Sequence, residues 1–203
     1  MFSKSCIFTL IALSASLSAA ASADKSNSLT SNESAKGWRL LFDGSSMNGW
    51  ESHWADSFHV KDGALACDGS VMSWLSTKDT FANYDLKLEF RGNAKVNSGV
   101  FLRSEKEGQP HITGYELQIW DYQPAKYNTG SLVGSAFAEP VKILGDEWNK
   151  YEITADGDHF VIVLNGKKLL DTHDSKHASG VIGFQCQKDQ RIEFRNIRIL
   201  PRK

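Results

Sequence analysis

The chain has 203 residues, 41% of them hydrophobic and 11% aromatic, and its 23 basic and 24 acidic side chains leave a formal charge of −1. That length fits one domain with a sizeable core, and the near-neutral charge argues against nucleic acid or an anionic membrane as a partner. The three cysteines include no closely spaced pair, so a structural zinc site has no support.

Residues 1–23 read as a secretory leader: Lys4 supplies the positive start, residues 6–17 an apolar stretch, and Ala21, Ser22 and Ala23 a small-residue cleavage site. Ser14, Ser16 and Ser18 interrupt the stretch, which is short against a bilayer span of about 20 residues, so no membrane insertion is expected after cleavage. A periplasmic or secreted protein of net charge about −2 is the expected product. Residues 24–36 are rich in Ser, Asn, Lys and Asp, with almost nothing to bury, and read as a disordered tether. The folded domain is then expected over residues 37–203.

Within it the period is two. Strand candidates run over 39–42, 58–60, 64–67, 74–77, 84–91, 97–103, 114–121, 147–154, 159–164, 167–170, 181–187 and 192–199. Asp62-Gly63 and Asn165-Gly166 have type I′ hairpin composition. In the last run Ile192 and Phe194 sit at even positions and Ile197 and Ile199 at odd ones, which predicts a β-bulge near Arg195-Asn196. A short helix or turn is expected around residues 175–178. Cys67 shares the parity of Leu65, and Cys186 that of Phe184 and Ile182, which reads as two buried thiols. Export to an oxidising compartment leaves a disulfide open. The sum is an all-β protein, a two-sheet antiparallel sandwich of the jelly-roll kind.

Two runs carry the chemistry. In GYELQIWD (114–121) Leu117 and Ile119 take the core face, with Tyr115 and Asp121 at the same parity, while Glu116, Gln118 and Trp120 take the other. In NSGVFLR (97–103) Val100 and Leu102 take the core face and Asn97, Phe101 and Arg103 the other. As neighbouring strands they would present acid, amide, guanidinium and aromatic groups on one surface, which Gln185 and Gln187 extend. An ordinary solvated face with an Arg/Glu cross-strand pair has the same pattern. Trp38, Trp50 and Trp148 read as packing residues, Trp54 and Trp74 read either way, and YNTGS (127–131) reads as a rim loop.

In order, GWRLLFDGSSMNGW (37–50), FHVKDGALAC (58–67), NSGVFLR, GYELQIWD, EWNKYEIT (147–154), LNGKKL (164–169) and GVIGFQCQKDQRIEFRNIRI (180–199) resemble the 3-keto-disaccharide hydrolase family over residues 37–200. The resemblance implies a concanavalin A-like jelly roll, export, and cleavage of a small glycoside already oxidised at C3. A C3 ketone acidifies the C2 proton, so one base can drive elimination of the C1 substituent, with or without later addition of water. Glu116 is the expected base. Arg103 and Asn97 are the expected donors to oxyanion or hydroxyl, Gln118, Gln185 and Gln187 polar contacts, and Phe101 or Trp120 the stacking ring. A paired-acid glycosidase needs carboxyls about 5 to 9.5 Å apart; position 118 holds glutamine, so a second acid would come from Glu105, Glu107 or Asp189. No cofactor is required, although a divalent metal would suit the enolate. Gln187 stands where many relatives have a histidine, leaving His53, His59 and His111 as substitutes. The competing readings are a non-catalytic carbohydrate-binding module using the same face and a structural sandwich.

Overall fold

Alternation resolves into thirteen strands among residues 26–202, which the computed structural model describes. In chain order, β1 is Arg39–Leu40, β2 Trp50–His53, β3 Phe58–Lys61, β4 Ala64–Cys67 and β5 Ser73–Thr77. The long β6 (Tyr84–Gly92) and β7 (Ser98–Ser104) follow, then β8 (Tyr115–Ile119) and β9 (Asn149–Asp156). The chain closes with β10 (His159–Leu164), β11 (Lys167–His173), β12 (Val181–Cys186) and β13 (Ile192–Pro201). The larger antiparallel sheet has the order β11-β10-β9-β6-β13-β4-β3 with β1 added on β13, and the smaller is β2-β5-β12-β7-β8. Stacked face to face, they form the concanavalin A-like sandwich.

The core is where the two apolar faces meet. Phe184 of β12 stacks on Phe194 of β13 with ring centroids 4.1 Å apart and on Trp50 of β2 at 5.3 Å. Each such side chain taken fully out of water contributes about 1.5–3 kcal/mol. Both Asx-Gly pairs form their hairpins with positive φ at both central residues: 47° and 76° at Asp62 and Gly63, 50° and 80° at Asn165 and Gly166. The phase slip in β13 is a bulge at Asn196, φ 53°, across which the register on β6 shifts. It keeps Ile192, Phe194, Ile197 and Ile199 all in the core.

Cys67 and Cys186 are not two thiols but a disulfide between β4 and β12, with Cα atoms 5.6 Å apart and a sequence separation of 119. The parity that suggested burial also aims each sulfur at the opposite sheet, which lets them meet. Residues 26–36, read as tether, pack on the larger sheet instead. Asn27 donates its side-chain N–H to the Gly63 carbonyl and exchanges hydrogen bonds with Asn196. Thr30 and Glu33 form a capping box on a one-turn helix α1 (Ser31–Ala35), and Arg198 donates to Glu33 at 2.7 Å. A polar segment needs no apolar surface to order when its polar groups are partnered this closely. The expected leader lies outside the described residues.

No helix forms at residues 175–178; the Tyr115 hydroxyl donates to the Asp174 carbonyl and accepts from the His177 N–H, tying that segment to a side chain instead of to its own backbone. A short helix α2 (Pro110–Thr113) sits instead between β7 and β8.

The crosslink gives the first prediction. Alkylation of the unfolded, unreduced protein leaves Cys67 and Cys186 unlabelled, and replacing both with Ala lowers folding stability by about 2–5 kcal/mol. Labelling of either cysteine without reductant would contradict the bond.

Candidate functional site

The smaller sheet turns one face to the core and one outward. Antiparallel register sets Phe101 opposite Glu116 and Gly99 opposite Gln118, so the runs NSGVFLR and GYELQIWD are neighbours. Gly183 lies opposite Phe101 on one side and Ser76 on the other, and Gln185 lies opposite Trp74, which in turn faces His53. Glu116, Phe101, Gln185, Trp74 and His53 therefore share the outward face.

Two glycines make room on it. A Cβ on Gly99 would stand 2.8 Å from Oε1 and 2.9 Å from Cγ of Glu116, and one on Gly183 would stand 3.0 Å from the Trp74 ring. Glu116 thus lies flat over β7 and Trp74 over β12. The Trp74 ring is stacked on His53 at 4.0 Å and meets Phe101 edge-on at 5.7 Å. Glu116 is 7% exposed, and among the described residues no cation pairs with it. Desolvation alone raises its pKa from 4.5 to about 7. Burial also lowers the pKa of His53, whose Nε2 shares a 2.8 Å hydrogen bond with Ser76 Oγ.

Beside Phe101 the face deepens into a cleft of about 300 Å³ lined by Ser73, Trp74, Phe101 and Gln185 from the sheet, Trp54 and Met72 from loops, and Gln109 and His111 from the α2 connection. Trp74 Nε1 and Gln185 Oε1 are buried with no hydrogen-bond partner among the described residues. Trp54 is 55% exposed and holds a φ of 69°, a strained conformation for a bulky side chain. A larger depression of about 630 Å³ lies on the other sheet, where Arg91 is already paired with Glu193 at 2.5 Å. The guanidinium there is already paired, whereas Trp74 Nε1 and Gln185 Oε1 of the residues lining the cleft are not.

Arg103 does not join this face. The β7–β12 register shifts between Phe101 and Ser104, and Arg103, at φ 55°, turns its side chain away from the outward row. Its guanidinium donates to the carbonyls of Ala82, Gly157 and His177 at 2.8, 2.7 and 3.1 Å and lies 5.0 Å from the Phe160 ring centre. With its donors taken by backbone, Arg103 is a strut between loops. Asn97, Trp120 and Gln187 stand one residue beyond the ends of β7, β8 and β12, and none lines the cleft. Gln118 is 4% exposed, and its Oε1 accepts from the Ile119 N–H. The YNTGS segment is no rim: residues 130–133 hydrogen-bond along the free edge of β8.

Among the described residues no second acid stands near Glu116 on this face. Glu51 lies at the opposite edge of the sheet, paired with Lys106 at 2.8 Å. Four strand spacings of about 4.8 Å put it roughly 19 Å away, beyond glycosidase range. Asp121 is buried on the core side, accepting from Thr129 Oγ1 and the Ile143 N–H, while Glu105, Glu107 and Asp189 are exposed. The residues do not fit a metal centre either: among the described residues no three His, Cys, Asp or Glu side chains converge, and His59 lies on the other sheet.

Sequence reading passed over Gln109, Met72 and Ser73 and left Trp74 undecided. One signal was available: Trp74 and Leu75 are adjacent in a strand, so one large apolar side chain had to face outward.

A two-sheet sandwich with an aromatic and amide cleft on its outward face is the build of a carbohydrate-active protein. The chain belongs to the family of the 3-keto-alpha-glucoside-1,2-lyase-like domain, whose model matches residues 37–200. It is 27% identical to a levanase of Bacillus subtilis (strain 168) over 180 residues, which are 85% of this chain and 26% of the levanase, so the chain spans about a quarter of that relative. Its fold matches a glycosyl hydrolase candidate of Parabacteroides distasonis with a TM-score of 0.79 at 23% identity, covering 88% of this chain and all of the other. The carbohydrate-binding module CBM66 of Bacillus subtilis matches with a TM-score of 0.59 at 16% identity, covering 74% and 94%. At these identities the structural likeness is one of fold.

Arg103→Met should lower folding stability by about 3 kcal/mol or more in urea unfolding, because buried carbonyls lose a charged donor. A change under about 0.5 kcal/mol, the range of an ordinary surface substitution, would contradict the strut.

Proposed function

We propose that this protein cleaves glycosides oxidised at C3 by elimination across C1 and C2, with Glu116 as the base. The observation that carries the reading is an isolated carboxyl, buried over Gly99 and without counter-charge, whose pKa lies near 7. A general base works best when its pKa is close to the working pH. The carboxylate takes the C2 proton, and the C2–H electron pair forms an enolate whose charge rests on the C3 oxygen. Reformation of the C3 ketone makes the C1–C2 double bond and breaks the C1–O bond. The departing oxygen takes a proton from Glu116 or from water. Addition of water to the double bond gives the hydrolysis product, and its omission gives the lyase product. Family membership supports the substrate class. The leader-like residues 1–23 and the disulfide support export to the periplasm or beyond.

A non-catalytic module is the second reading, since the cleft beside Phe101 suits glycan binding without reaction. The two differ in whether Glu116 must ionise.

Turnover of an aryl 3-keto-glucoside should rise with pH through about 7 and level off above it, as Glu116 passes from acid to carboxylate. Glu116→Gln should lower kcat by about 10²-fold or more, the contribution of a positioned base, while binding persists. Full activity of Glu116→Gln, or a flat profile between pH 5 and 9, would refute the assignment.

A further inference from the structure

Removal of Arg103 from the face leaves the enolate without its expected donor, and the cleft offers another. Among the described residues the indole N–H of Trp74, which is 1% exposed, has no acceptor, and beside it the buried Gln185 Oε1 has no donor. A buried polar atom left unpaired costs about 1–3 kcal/mol, so two of opposite kind on neighbouring residues that line one cleft point to something that brings both an acceptor and a donor. Around them the walls are the faces of Phe101, Trp54 and Met72. A sugar ring has this combination: apolar C–H faces and oxygens on adjacent carbons. A cleft of about 300 Å³ has room for one ring but not for a long glycan.

We propose that the cleft is the ring subsite, in which Trp74 Nε1 donates to the C3 oxygen of the oxidised sugar and Gln185 Oε1 accepts from the neighbouring hydroxyl. This rests on the elimination described above and adds the residue that stabilises its enolate. Both atoms are covered in the free protein, and Met72 and Trp54, 46% and 55% exposed at the rim, are the side chains that move as the ring enters. Phe101, itself 1% exposed and uncovered by the same movement, is the cross-strand partner of Glu116, so a ring stacked on it has C3 toward Trp74 and C2 toward Glu116. As charge grows on the C3 oxygen the indole hydrogen bond strengthens, and Trp74 becomes a catalytic residue.

Trp74→Phe keeps an aromatic face and deletes the N–H; Gln185→Met keeps the length and deletes the amide. With an aryl 3-keto-glucoside, Trp74→Phe should lower kcat by about a hundredfold with little change in KM, the signature of a donor felt in the transition state. In calorimetry with methyl 3-keto-glucoside and Glu116→Gln protein, adding Gln185→Met should weaken binding about tenfold. An unchanged kcat in folded Trp74→Phe would overturn the proposal, and so would unchanged binding in the Gln185 variant. The base assignment fails separately: an active Glu116→Gln that still loses kcat with Trp74→Phe removes the base and keeps the subsite. Should the native protein cleave no 3-keto-glycoside, the calorimetric comparison still decides the subsite without turnover.

Discussion

A carboxyl group held out of water, with no cation beside it among the described residues, is the constraint on which the outward face depends. Glu116 owes its place to the β8 pleat, which sends Leu117 and Ile119 into the core and leaves no choice for the residue before them. Gly99, its diagonal neighbour on β7, lets the carboxyl lie down on the sheet where any side chain would have kept it in solvent. Because folding favours its protonated form, the burden is absent below the unfolded value of 4.5 and complete above about pH 7. A shift of that size corresponds to about 3 kcal/mol of stability forgone at alkaline pH. A purely structural sheet face gains nothing from such an arrangement, since glutamine would fill the space at no such penalty. The proposed role as base gives that lost stability a use, since it is given up at the atom that would take the proton.

The rest of the molecule holds that face still. The Cys67–Cys186 bond fastens β12 to the larger sheet one residue from Gln185, so the strand that floors the cleft is anchored on its core side. Arg103 fastens the far end of β7, gathering the carbonyls of Ala82, Gly157 and His177. Residues 130–133 close the edge of β8 and satisfy the backbone of Glu116 and Gln118 from outside. These supports lie away from the outward face, where Trp74 Nε1 and Gln185 Oε1 have no partner among the described residues.

Most of the architecture was legible because a sheet with one buried face writes its parity into the sequence. The adjacency of β7 and β8, both hairpin turns and the bulge at Asn196 followed from alternation and turn chemistry. Strand β2 did not, since Trp-Glu-Ser-His contains one buried residue and no repeating period. Parity failed at Arg103 for a related reason: the bulge between Phe101 and Ser104 has no glycine or change of apolar phase to announce it, and one extra residue reverses the face. The cleft was hidden because Met72 lies in a loop and Gln109 and His111 in the short α2 connection, whose positions period-two reasoning does not reach. The N-terminal segment was misjudged by composition, which counts apolar surface and not the specific polar partners that order residues 27–33.

Breaking of the C2–H bond separates elimination from every other use of this face. The most direct measurement is the fate of that hydrogen when a 3-keto-glucoside is cleaved in deuterated water and the released sugar is examined by mass spectrometry and NMR. Proton abstraction by Glu116 predicts a sugar that carries deuterium at C2 or is unsaturated between C1 and C2. A released sugar that retains its original hydrogen at C2 would contradict the mechanism.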